Sequence, residues 1–321
     1  MSNLIVISNP AEPLLAMLDE LPEDTTITVG NRPEAFENAA PEADAILVWG
    51  MSGKTLPQIF GMCPRVRWVH TRTAGLDKML FPALIESPAQ LTNGTGVFSE
   101  SLGEFALAGI LYFAKDLRRM IRNQEAGEWA PFEPEMISEK TVAIVGYGDI
   151  GRAVALRVRA MGMTVLAIKR HAPASPFGDA LAHEAYGPEK LLETISRSDY
   201  VVVAAPLTPE THGMVGEREF AAMKPGAVIV NVGRGPVIDE AAMLRALTEK
   251  RIKGAVLDVF EHEPLPAGHP LYKMENVLLS PHCADNTVGW EANAMRFFLA
   301  QFERFQKGEP LLNVVDKRMG Y

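Results

Sequence analysis

The sequence is poor in cysteine, and its histidines are scattered. Cys63 and Cys283 are the 2 cysteines among 321 residues, and they form no Cys-x-x-Cys pair. Two cysteines so far apart exclude a disulfide scaffold and a cysteine-rich zinc site. The 7 histidines include no His-x-x-x-His pair. We therefore predict that the protein holds no metal ion.

Long apolar runs and clusters of positive charge are also lacking. No stretch of about 18 consecutive apolar residues occurs, so we expect no membrane span. The first segment, MSNLIVISNPAEP, has no basic stretch before its apolar residues, so we expect no signal peptide and a cytoplasmic location. Lys and Arg number 31 against 40 Asp and Glu, and no Lys/Arg-rich run appears. We therefore expect no nucleic-acid partner.

The length and the pattern of apolar residues indicate an α/β protein with two domains of about 150 residues each. Short apolar segments alternate with helical ones in both halves, which predicts parallel sheets covered by helices. The predicted strands are Leu4–Ser8, Ala45–Val48, Val66–His70, Ala89–Thr92, Thr141–Val145, Thr164–Ile168, Tyr200–Ala204, Ala227–Val232, Gly254–Leu257 and Val277–Ser280. Apolar residues at helical spacing predict one long helix over Ser101–Asn123, ending near Gly127, and a last helix over Thr287–Phe305.

A glycine-rich turn follows the predicted strand Thr141–Val145. It reads Gly146-Tyr147-Gly148-Asp149-Ile150-Gly151, which is G-x-G-x-x-G, and a helical segment comes next. The first glycine allows the tight turn, the second lets the backbone approach a pyrophosphate, and the third lets helix and strand pack closely. A plain strand–turn–helix is the alternative, but this context favours a dinucleotide-binding site.

Two cations stand where an NAD site usually has a carboxylate. The next strand, Thr164–Ile168, ends in Lys169 and Arg170. An Asp or Glu at that position would bind the ribose 2′-hydroxyl of NAD, whereas these cations can pair with the 2′-phosphate of NADP. The alternative is an exposed basic strand end. We predict NADP as the cofactor, with NAD possible.

Three further segments follow later strands, at the edge where open α/β sheets bind ligands. They contain Arg234, the acidic stretch around Glu263, and His282. Beside a nicotinamide these residues suit the reduction of a 2-oxo acid. A cation holds the substrate carboxylate, an acid protonates the oxygen, and a carboxylate orients the imidazole. Three ordinary strand-end loops are the alternative interpretation.

Taken together with these segments, the sequence resembles the D-isomer-specific 2-hydroxyacid dehydrogenase family over nearly its whole length. The motifs that carry the resemblance are VGYGDIGRAVA, APLTPETHGMVG, MKPGAVIVNVGRGPVIDE, GAVLDVFEHEPLP and NVLLSPHCADNT. The Lys169-Arg170 pair is similar to NADP-preferring reductases of glyoxylate and hydroxypyruvate. Asp285-Asn286 departs from the small residues expected after the histidine and leaves substrate size open.

The resemblance implies a role for each catalytic position. Arg234 would bind the substrate carboxylate and keto oxygen, His282 would be the acid/base, and Glu263 would pair with His282. The glycine turn at Ala74 and Gly75 would also bind the substrate carboxylate. The implied cofactor contacts are Asp258, Val232, Gly233 and Ala284 at the nicotinamide, and Pro206 and Thr211 on the adenosine side.

Residues outside these motifs receive simpler interpretations. The loop at Trp49-Gly50-Met51-Ser52 either shapes the side-chain pocket or is an ordinary surface loop. His262 is expected to be a solvated loop histidine, and His70 to be structural. Cys283 has no base of its own, so we interpret it as a small apolar neighbour of His282 rather than a nucleophile.

The resemblance also implies an organisation for the chain. We expect two Rossmann- or flavodoxin-like parallel-sheet domains with a cleft between them. The substrate domain would comprise residues 1–99 plus 288–321, and the dinucleotide-binding domain residues 100–287. The crossings near Ser99 and Thr287 would act as hinges, and the family implies a homodimer.

The function we expect is NAD(P)H-dependent reduction of small 2-oxo acids, of the glyoxylate or hydroxypyruvate type, to D-2-hydroxy acids. Two alternatives stay open. One is a phosphoglycerate dehydrogenase-like enzyme, and the other is a nucleotide-sensing binding protein like the corepressor relatives of the family.

Overall fold

The computed structural model describes residues 2–50, 55–171 and 174–321. The chain divides into two compact units, one of Met1–Phe98 with Val288–Tyr321 and one of Ser99–Thr287. The strands are β1 Ser2–Ile7, β2 Thr25–Gly30, β3 Ala45–Val48, β4 Trp68–Thr71, β5 Gln90–Thr92, β6 Thr141–Val145, β7 Thr164–Ile168, β8 Glu184–Tyr186, β9 Tyr200–Val203, β10 Val228–Asn231, β11 Gly254–Leu257 and β12 Val277–Leu279. The helices are α1 Leu56–Gly61, α2 Pro82–Glu86, α3 Ser99–Ala114, α4 Leu117–Ala126, α5 Asp149–Ala160, α6 Leu191–Ser196, α7 Glu217–Ala222, α8 Glu240–Thr248 and α9 Trp290–Lys307.

The first unit contains a five-stranded parallel sheet in the order β2-β1-β3-β4-β5. Alternate residues of β1 enter two different cores, because successive side chains of a strand point to opposite faces. Ile5 and Ile7 pack with α1 and α2, whereas Leu4 and Val6 pack with α9. Both faces of the sheet are therefore covered, as the continuous apolar strands predict.

Aromatic packing fixes α9 against this sheet. The ring of Trp68 in β4 stacks on Phe298 with centroids 5.5 Å apart, and Phe302 lies at 6.1 Å. The helix begins at Trp290, three residues later than predicted, after Gly289 in a left-handed conformation (φ 80°). The C-terminal segment is thus an integral part of the first unit.

The second unit contains a seven-stranded parallel sheet in the order β12-β11-β10-β9-β6-β7-β8. The chain runs from β6 through β7 to β8 in one direction and from β9 to β12 in the other. The order therefore reverses between β6 and β9, the point where doubly wound sheets bind ligands. The prediction of two parallel-sheet α/β domains is confirmed.

One predicted helix is wrong in its extent. Instead of a single helix over Ser101–Asn123, the structure has α3 and α4, separated at Asp116. Asp116 has a left-handed backbone (φ 50°), and its carboxylate caps α4 by accepting the N–H of Arg119 at 3.3 Å. An N-capping Asp favours the start of a new helix over the continuation of the old one. The predicted end near Gly127 is confirmed, since this glycine closes α4 with a φ of 67°.

Strands β2 and β8 are absent from the predicted set. Both lie at a sheet edge, where half-exposed side chains dilute the apolar signal. Across the parts of the chain that the structure describes, the helices are all too short or too polar to cross a bilayer.

Candidate active site

The glycine-rich turn after β6 has the shape that a dinucleotide requires. Gly146 has a φ of 94°, and a Cβ there would lie 2.4 Å from the backbone nitrogen of Ala205, just after β9. A Cβ at Gly151 would lie 2.4 Å from the carbonyl oxygen of Gly146. At Gly148, by contrast, a Cβ would meet nothing within 4 Å. The backbone is closely packed on one side and open at Gly148, so the residues fit a pyrophosphate.

Hydrogen bonds hold this turn against the end of β7. The N–H groups of Gly146 and Tyr147 both donate to the carbonyl of Ile168, each at 3.0 Å. Ile150 lies in the first turn of α5. The N–H groups of a first helical turn have no carbonyl of a preceding turn to bond to. The carboxylate of Asp149 accepts the hydroxyl of Ser99, at the start of α3. The predicted dinucleotide residues are therefore together in one turn.

The strand end after β7 carries the two predicted cations. Lys169 is half-buried, and its N–H donates to the carbonyl of Tyr186 in β8 at 3.0 Å. Arg170 is exposed and lies 3.8 Å from a carboxylate oxygen of Glu210, in the loop after β9. A carboxylate thus does approach this region, but it comes from another loop. Sequence reasoning gave no role to Glu210, although it lies in the quoted APLTPET segment.

The loop after β9 is closed by its own side chains. The hydroxyl of Thr211 donates to the carbonyl of Pro206 at 2.6 Å and accepts the N–H of Thr208 at 2.8 Å. Thr211 therefore shapes the loop that was predicted to face the adenosine side.

The turn after β10 is rigidly held around Arg234. The side chain of Asn231 accepts the N–H of Gly233 and donates to the carbonyl of Arg234, both at 3.1 Å. Gly233 packs against the loop after β9, where a Cβ would lie 2.7 Å from the carbonyl oxygen of Ala205. Val232, one residue earlier, is buried and donates to the carbonyl of Val203 at 3.0 Å. This turn therefore has little freedom to move.

Asp258 lies beneath the loop that carries His282. Its side chain is at the end of β11, and the residue is only 1% exposed. One carboxylate oxygen accepts the N–H groups of Cys283 and Ala284, at 3.0 and 3.1 Å. A buried carboxylate with two backbone donors fixes the loop after β12 to its neighbouring strand.

Glu263 and His282 form a direct pair. Oε2 of Glu263 lies 2.7 Å from Nδ1 of His282, and Oε1 accepts the N–H of Phe260 at 3.0 Å. Because a carboxylate is an acceptor, this geometry puts a proton on Nδ1 and leaves Nε2 for another partner. His282 also has a left-handed backbone (φ 52°), a conformation that is costly outside glycine and often found at functional sites.

The charges of these loops meet around Asp285. Burial, and then the neighbouring charge of Asp258, raise the pKa of Asp285 above its usual value, while His282 and Arg234 act in the opposite direction. The ends of β10, β11 and β12 therefore bring Arg234, Asp258 and His282 into one electrostatic environment.

The predicted anion-binding turn lies in the first unit. The side chain of Asn93 donates to the carbonyl of Ala74 at 2.8 Å, and the hydroxyl of Thr73 donates to the carbonyl of Gly75 at 3.0 Å. Arg72, just before the turn, pairs with Glu291 at 2.9 Å. These contacts define the turn's shape.

Trp49 belongs to the predicted pocket loop, of which Met51 and Ser52 lie outside the described residues. Trp49 is 1% exposed, and the guanidinium of Arg72 lies 5.0 Å from its ring centroid. Trp49 therefore packs in the interior of the first unit.

The remaining candidate residues behave as ordinary structural groups. His70 is buried beside Thr92, whereas His262 is exposed. Cys283 is an exposed free thiol, 3.4 Å from the hydroxyl of Ser280. Within residues 2–50, 55–171 and 174–321, His, Cys, Asp and Glu side chains form no group of three that would hold a metal ion.

Sequence reasoning missed Asp179, which lies between β7 and β8. Its carboxylate accepts the hydroxyl of Tyr147 at 2.8 Å and a guanidinium nitrogen of Arg152 at 2.6 Å. Burial opposes its ionisation, but the N–H of Leu181, the Tyr147 hydroxyl and the other donors outweigh it and hold the pKa of Asp179 well below its usual value. No sequence motif marks this residue, because its partners are distant in the chain.

Residues 107–284 match the model of the NAD-binding domain of D-isomer specific 2-hydroxyacid dehydrogenases. The chain belongs to this family. It is an NAD(P)-dependent D-2-hydroxyacid dehydrogenase, and the family resemblance stated from the motifs is confirmed.

Known relatives cover most of the chain. A glyoxylate reductase of Korarchaeum cryptofilum is 35% identical over 271 residues, which are 82% of this chain and 80% of that protein. A D-isomer specific 2-hydroxyacid dehydrogenase of Xanthobacter autotrophicus, solved with NADPH and MES, is 32% identical with a TM-score of 0.84 and covers 100% of this chain and 99% of its own. An NADPH-dependent glyoxylate/hydroxypyruvate reductase of Sinorhizobium meliloti, solved with NADP and sulfate, is 27% identical with a TM-score of 0.84, and both chains are covered completely (100%).

Proposed function

We propose that this dehydrogenase is an NADPH-dependent reductase of small 2-oxo acids, of the glyoxylate or hydroxypyruvate type, that forms D-2-hydroxy acids. The observation that carries the proposal is the pair of Glu263 and His282, with Nδ1 and Oε2 2.7 Å apart. Such a pair presents an imidazole in a fixed orientation for proton transfer. The names of the two reductases described above support the substrate class.

In this proposal the reaction divides between three side chains. His282 donates a proton from Nε2 to the keto oxygen of the substrate. Glu263 orients the ring through Nδ1 and stabilises its positive charge. Arg234 holds the substrate carboxylate and the keto oxygen, since a guanidinium offers parallel donors to a carboxylate. The bound nicotinamide supplies the hydride.

The other binding residues complete the proposal. Ala74 and Gly75 offer backbone N–H groups to the substrate carboxylate. The glycine turn at 146–151 holds the pyrophosphate, and Pro206 and Thr211 lie toward the adenosine. Val232, Gly233, Asp258 and Ala284 surround the nicotinamide. For Asp258 one carboxylate oxygen is already engaged by Cys283 and Ala284, so the other oxygen is the one we assign to the carboxamide.

For the cofactor, we assign the 2′-phosphate to Lys169 and Arg170. The strand end after β7 carries these cations and no carboxylate of its own. Two solved relatives are complexes with NADPH or NADP. Lys169→Asp is expected to repel the 2′-phosphate and to let NADH compete. The ratio of kcat/KM for NADPH and NADH, measured in both proteins at one ionic strength, tests this assignment.

We further propose that residues 100–287 form the dinucleotide-binding domain and residues 1–99 with 288–321 the substrate domain. The protein would act in the cytoplasm, in keeping with its two free thiols. Reporter fusions or cell fractionation would test that location.

A homodimer is the assembly we propose, built on the dinucleotide-binding domain. Apolar side chains are exposed there along and after α4, with Met120 at 41%, Ile121 at 52% and Trp129 at 96%. They lie near a groove of about 810 Å³ lined in part by Arg122 and Phe132. Exposed apolar groups of this size are typical of interfaces. Sedimentation should give a dimer for the wild type and a shift toward monomer for Trp129→Asp.

The experiment that tests the main proposal is NADPH oxidation with a panel of oxo acids. Glyoxylate and hydroxypyruvate are expected to give higher kcat/KM than pyruvate and phenylpyruvate, and the product of hydroxypyruvate should be the D-isomer. A preference for 3-phosphohydroxypyruvate would favour the phosphoglycerate dehydrogenase alternative. Tight binding of NADPH without turnover of any oxo acid would favour a nucleotide-sensing protein.

A further inference from the structure

The segment between β7 and β8 is a long connection, and its described residues form no helix. We call it the β7–β8 loop, residues 169–183, of which 172 and 173 lie outside the described residues. It begins with Lys169 and Arg170, and it ends at β8 on the edge of the sheet. A loop of about 15 residues needs specific contacts to stay in one conformation, because its ordering costs backbone entropy.

The start of this loop is fixed to the glycine turn. The carbonyl of Ile168, immediately before Lys169, accepts the N–H groups of both Gly146 and Tyr147 at 3.0 Å. Lys169 continues the ladder with β8 through its N–H to Tyr186. The backbone that leads into Arg170 is thus anchored on two sides as far as Lys169.

Asp179 fixes the far half of the loop to the same turn. Its Oδ1 accepts the Tyr147 hydroxyl at 2.8 Å and the N–H groups of Leu181 and Ala182, at 2.8 and 3.1 Å, within the loop itself. Its Oδ2 accepts Arg152, from α5, at 2.6 Å. One carboxylate therefore joins the loop, the glycine turn and the helix that follows the turn.

The two side chains that bond to Asp179 from outside the loop, Tyr147 and Arg152, also lie close to each other. Tyr147 is 5% exposed, and in the sequence it stands between the first two glycines of the turn. The guanidinium carbon of Arg152 lies 5.5 Å from the centroid of that ring. Charge-assisted hydrogen bonds of this kind are stronger than neutral ones and fix geometry.

We propose that Asp179 is a positioning residue for cofactor selection: it holds the β7–β8 loop on the glycine turn so that Arg170, which follows the anchored Lys169, stays at the 2′-phosphate. The inference rests on the proposed NADPH preference. Asp179 does not touch the cofactor in this proposal. Its loss therefore weakens the contacts made by the loop and spares those made by the glycine turn itself.

The test compares the dissociation constants of NADPH and NADH, measured by titration calorimetry without an oxo acid. Asp179→Ala is expected to raise the dissociation constant of NADPH about 10-fold, the equivalent of one strong contact, and that of NADH less than about 3-fold. Asp179→Asn retains an acceptor for Tyr147 and the two amides but loses the charge facing Arg152. It should have an intermediate effect, about 3-fold on NADPH, and it serves as the test variant if the Ala variant does not fold.

The matched control is Glu193→Ala, which removes one exposed carboxylate that pairs with Lys190 at 2.7 Å. It should leave both dissociation constants unchanged. In both Asp179 variants the ratio of the dissociation constants of NADPH and NADH could stay at the wild-type value, either because neither constant changes or because both rise equally. That result overturns the inference while the NADPH proposal stands. A wild-type protein that binds NADH as tightly as NADPH overturns both.

Discussion

Glu263 stands between Phe260 and His282, with Oε1 accepting the N–H of Phe260 at 3.0 Å and Oε2 lying 2.7 Å from Nδ1 of His282. The orientation of the imidazole is therefore set by a backbone group of the loop after β11. The two ring nitrogens of His282 therefore have different roles. Nδ1 is bonded to the carboxylate of Glu263, and Nε2 is the nitrogen left for a substrate oxygen.

The first prediction concerns these two residues. His282→Ala should lower kcat by roughly two to four orders of magnitude, the usual contribution of general acid–base catalysis. The dissociation constant of NADPH should change little, since the proposed role is in proton transfer. Stopped-flow and steady-state rates with glyoxylate would measure both quantities.

The control for this prediction is His262→Asn, which replaces an exposed histidine in the neighbouring loop and should keep wild-type kcat. The kcat of Glu263→Gln should lie between those of His282→Ala and His262→Asn, because the amide still accepts a hydrogen bond but carries no charge. Turnover near the wild-type rate in His282→Ala would contradict the assignment.

The second prediction concerns Arg234. Arg234→Lys keeps the positive charge but replaces a planar fork by a point charge, so we expect kcat/KM for the oxo acid to fall about 100-fold. The turn is held by the side chain of Asn231, which donates to the backbone carbonyl of residue 234 at 3.1 Å, a bond that does not involve the Arg234 side chain. Circular dichroism and NADPH affinity should therefore be retained. An unchanged kcat/KM would mean that Arg234 is a structural loop residue.

The third prediction uses the carboxylate that approaches Arg170. Glu210 lies 3.8 Å from the guanidinium and would repel a 2′-phosphate bound there. Glu210→Gln should lower the KM for NADPH about 3-fold at low salt, a modest change because both groups are exposed and screened. The KM for NADH should not move, and the effect should disappear at high ionic strength. The control is Glu189→Gln, an exposed glutamate before α6. An unchanged or higher KM for NADPH in Glu210→Gln would refute the prediction.

The fourth prediction concerns acid stability and the buried His70. Its Nδ1 lies 2.8 Å from the hydroxyl of Thr92, which also accepts the indole N–H of Trp68 at 2.8 Å. Burial lowers the pKa of His70 to about 3. Since the unfolded chain protonates this histidine near pH 6.5, the folded state loses stability as the pH falls from about 6.5 toward 3.

Between pH 7 and pH 5 this single histidine should cost about 2 kcal/mol of the free energy of unfolding. Urea denaturation at both pH values, in wild type and in His70→Phe, measures the difference. At pH 7 the free energy of unfolding of His70→Phe should be lower than that of the wild type. Between pH 7 and pH 5 it should fall by less than that of the wild type. Equal pH dependence in the two proteins would show that the pKa of His70 is the same in the folded and the unfolded chain, which would contradict the prediction.

The residues of the proposed site could be picked out from local sequence because each stands just after a strand. The glycine turn, Arg234, Glu263 and His282 each follow a buried strand, and parallel strands place such residues at one sheet edge. The position of these residues at the strand ends can therefore be predicted from local sequence. Asp258 was predicted as a cofactor contact, but its bonds to Cys283 and Ala284 depend on the pairing of β11 with β12 and were not predicted.

The features that sequence reasoning missed depend on distant contacts. Asp179 has its partners Tyr147 and Arg152 more than 25 residues away in the chain, as the separations of 32 and 27 residues show. The break between α3 and α4 depends on one left-handed residue, Asp116, inside a sequence whose apolar spacing fits a single helix. Where a helix breaks and which distant residues pair are determined by tertiary packing and capping, and the spacing of apolar residues does not predict them.

The buried carboxylate of Asp258 has a consequence for amide hydrogen exchange. The amide protons of Cys283 and Ala284 belong to a loop with no regular secondary structure, yet both are donated to an acceptor that is 1% exposed. Their exchange with deuterium requires the loop to leave β11, and not merely to fluctuate at the surface. These two amides should therefore be protected like those of a strand.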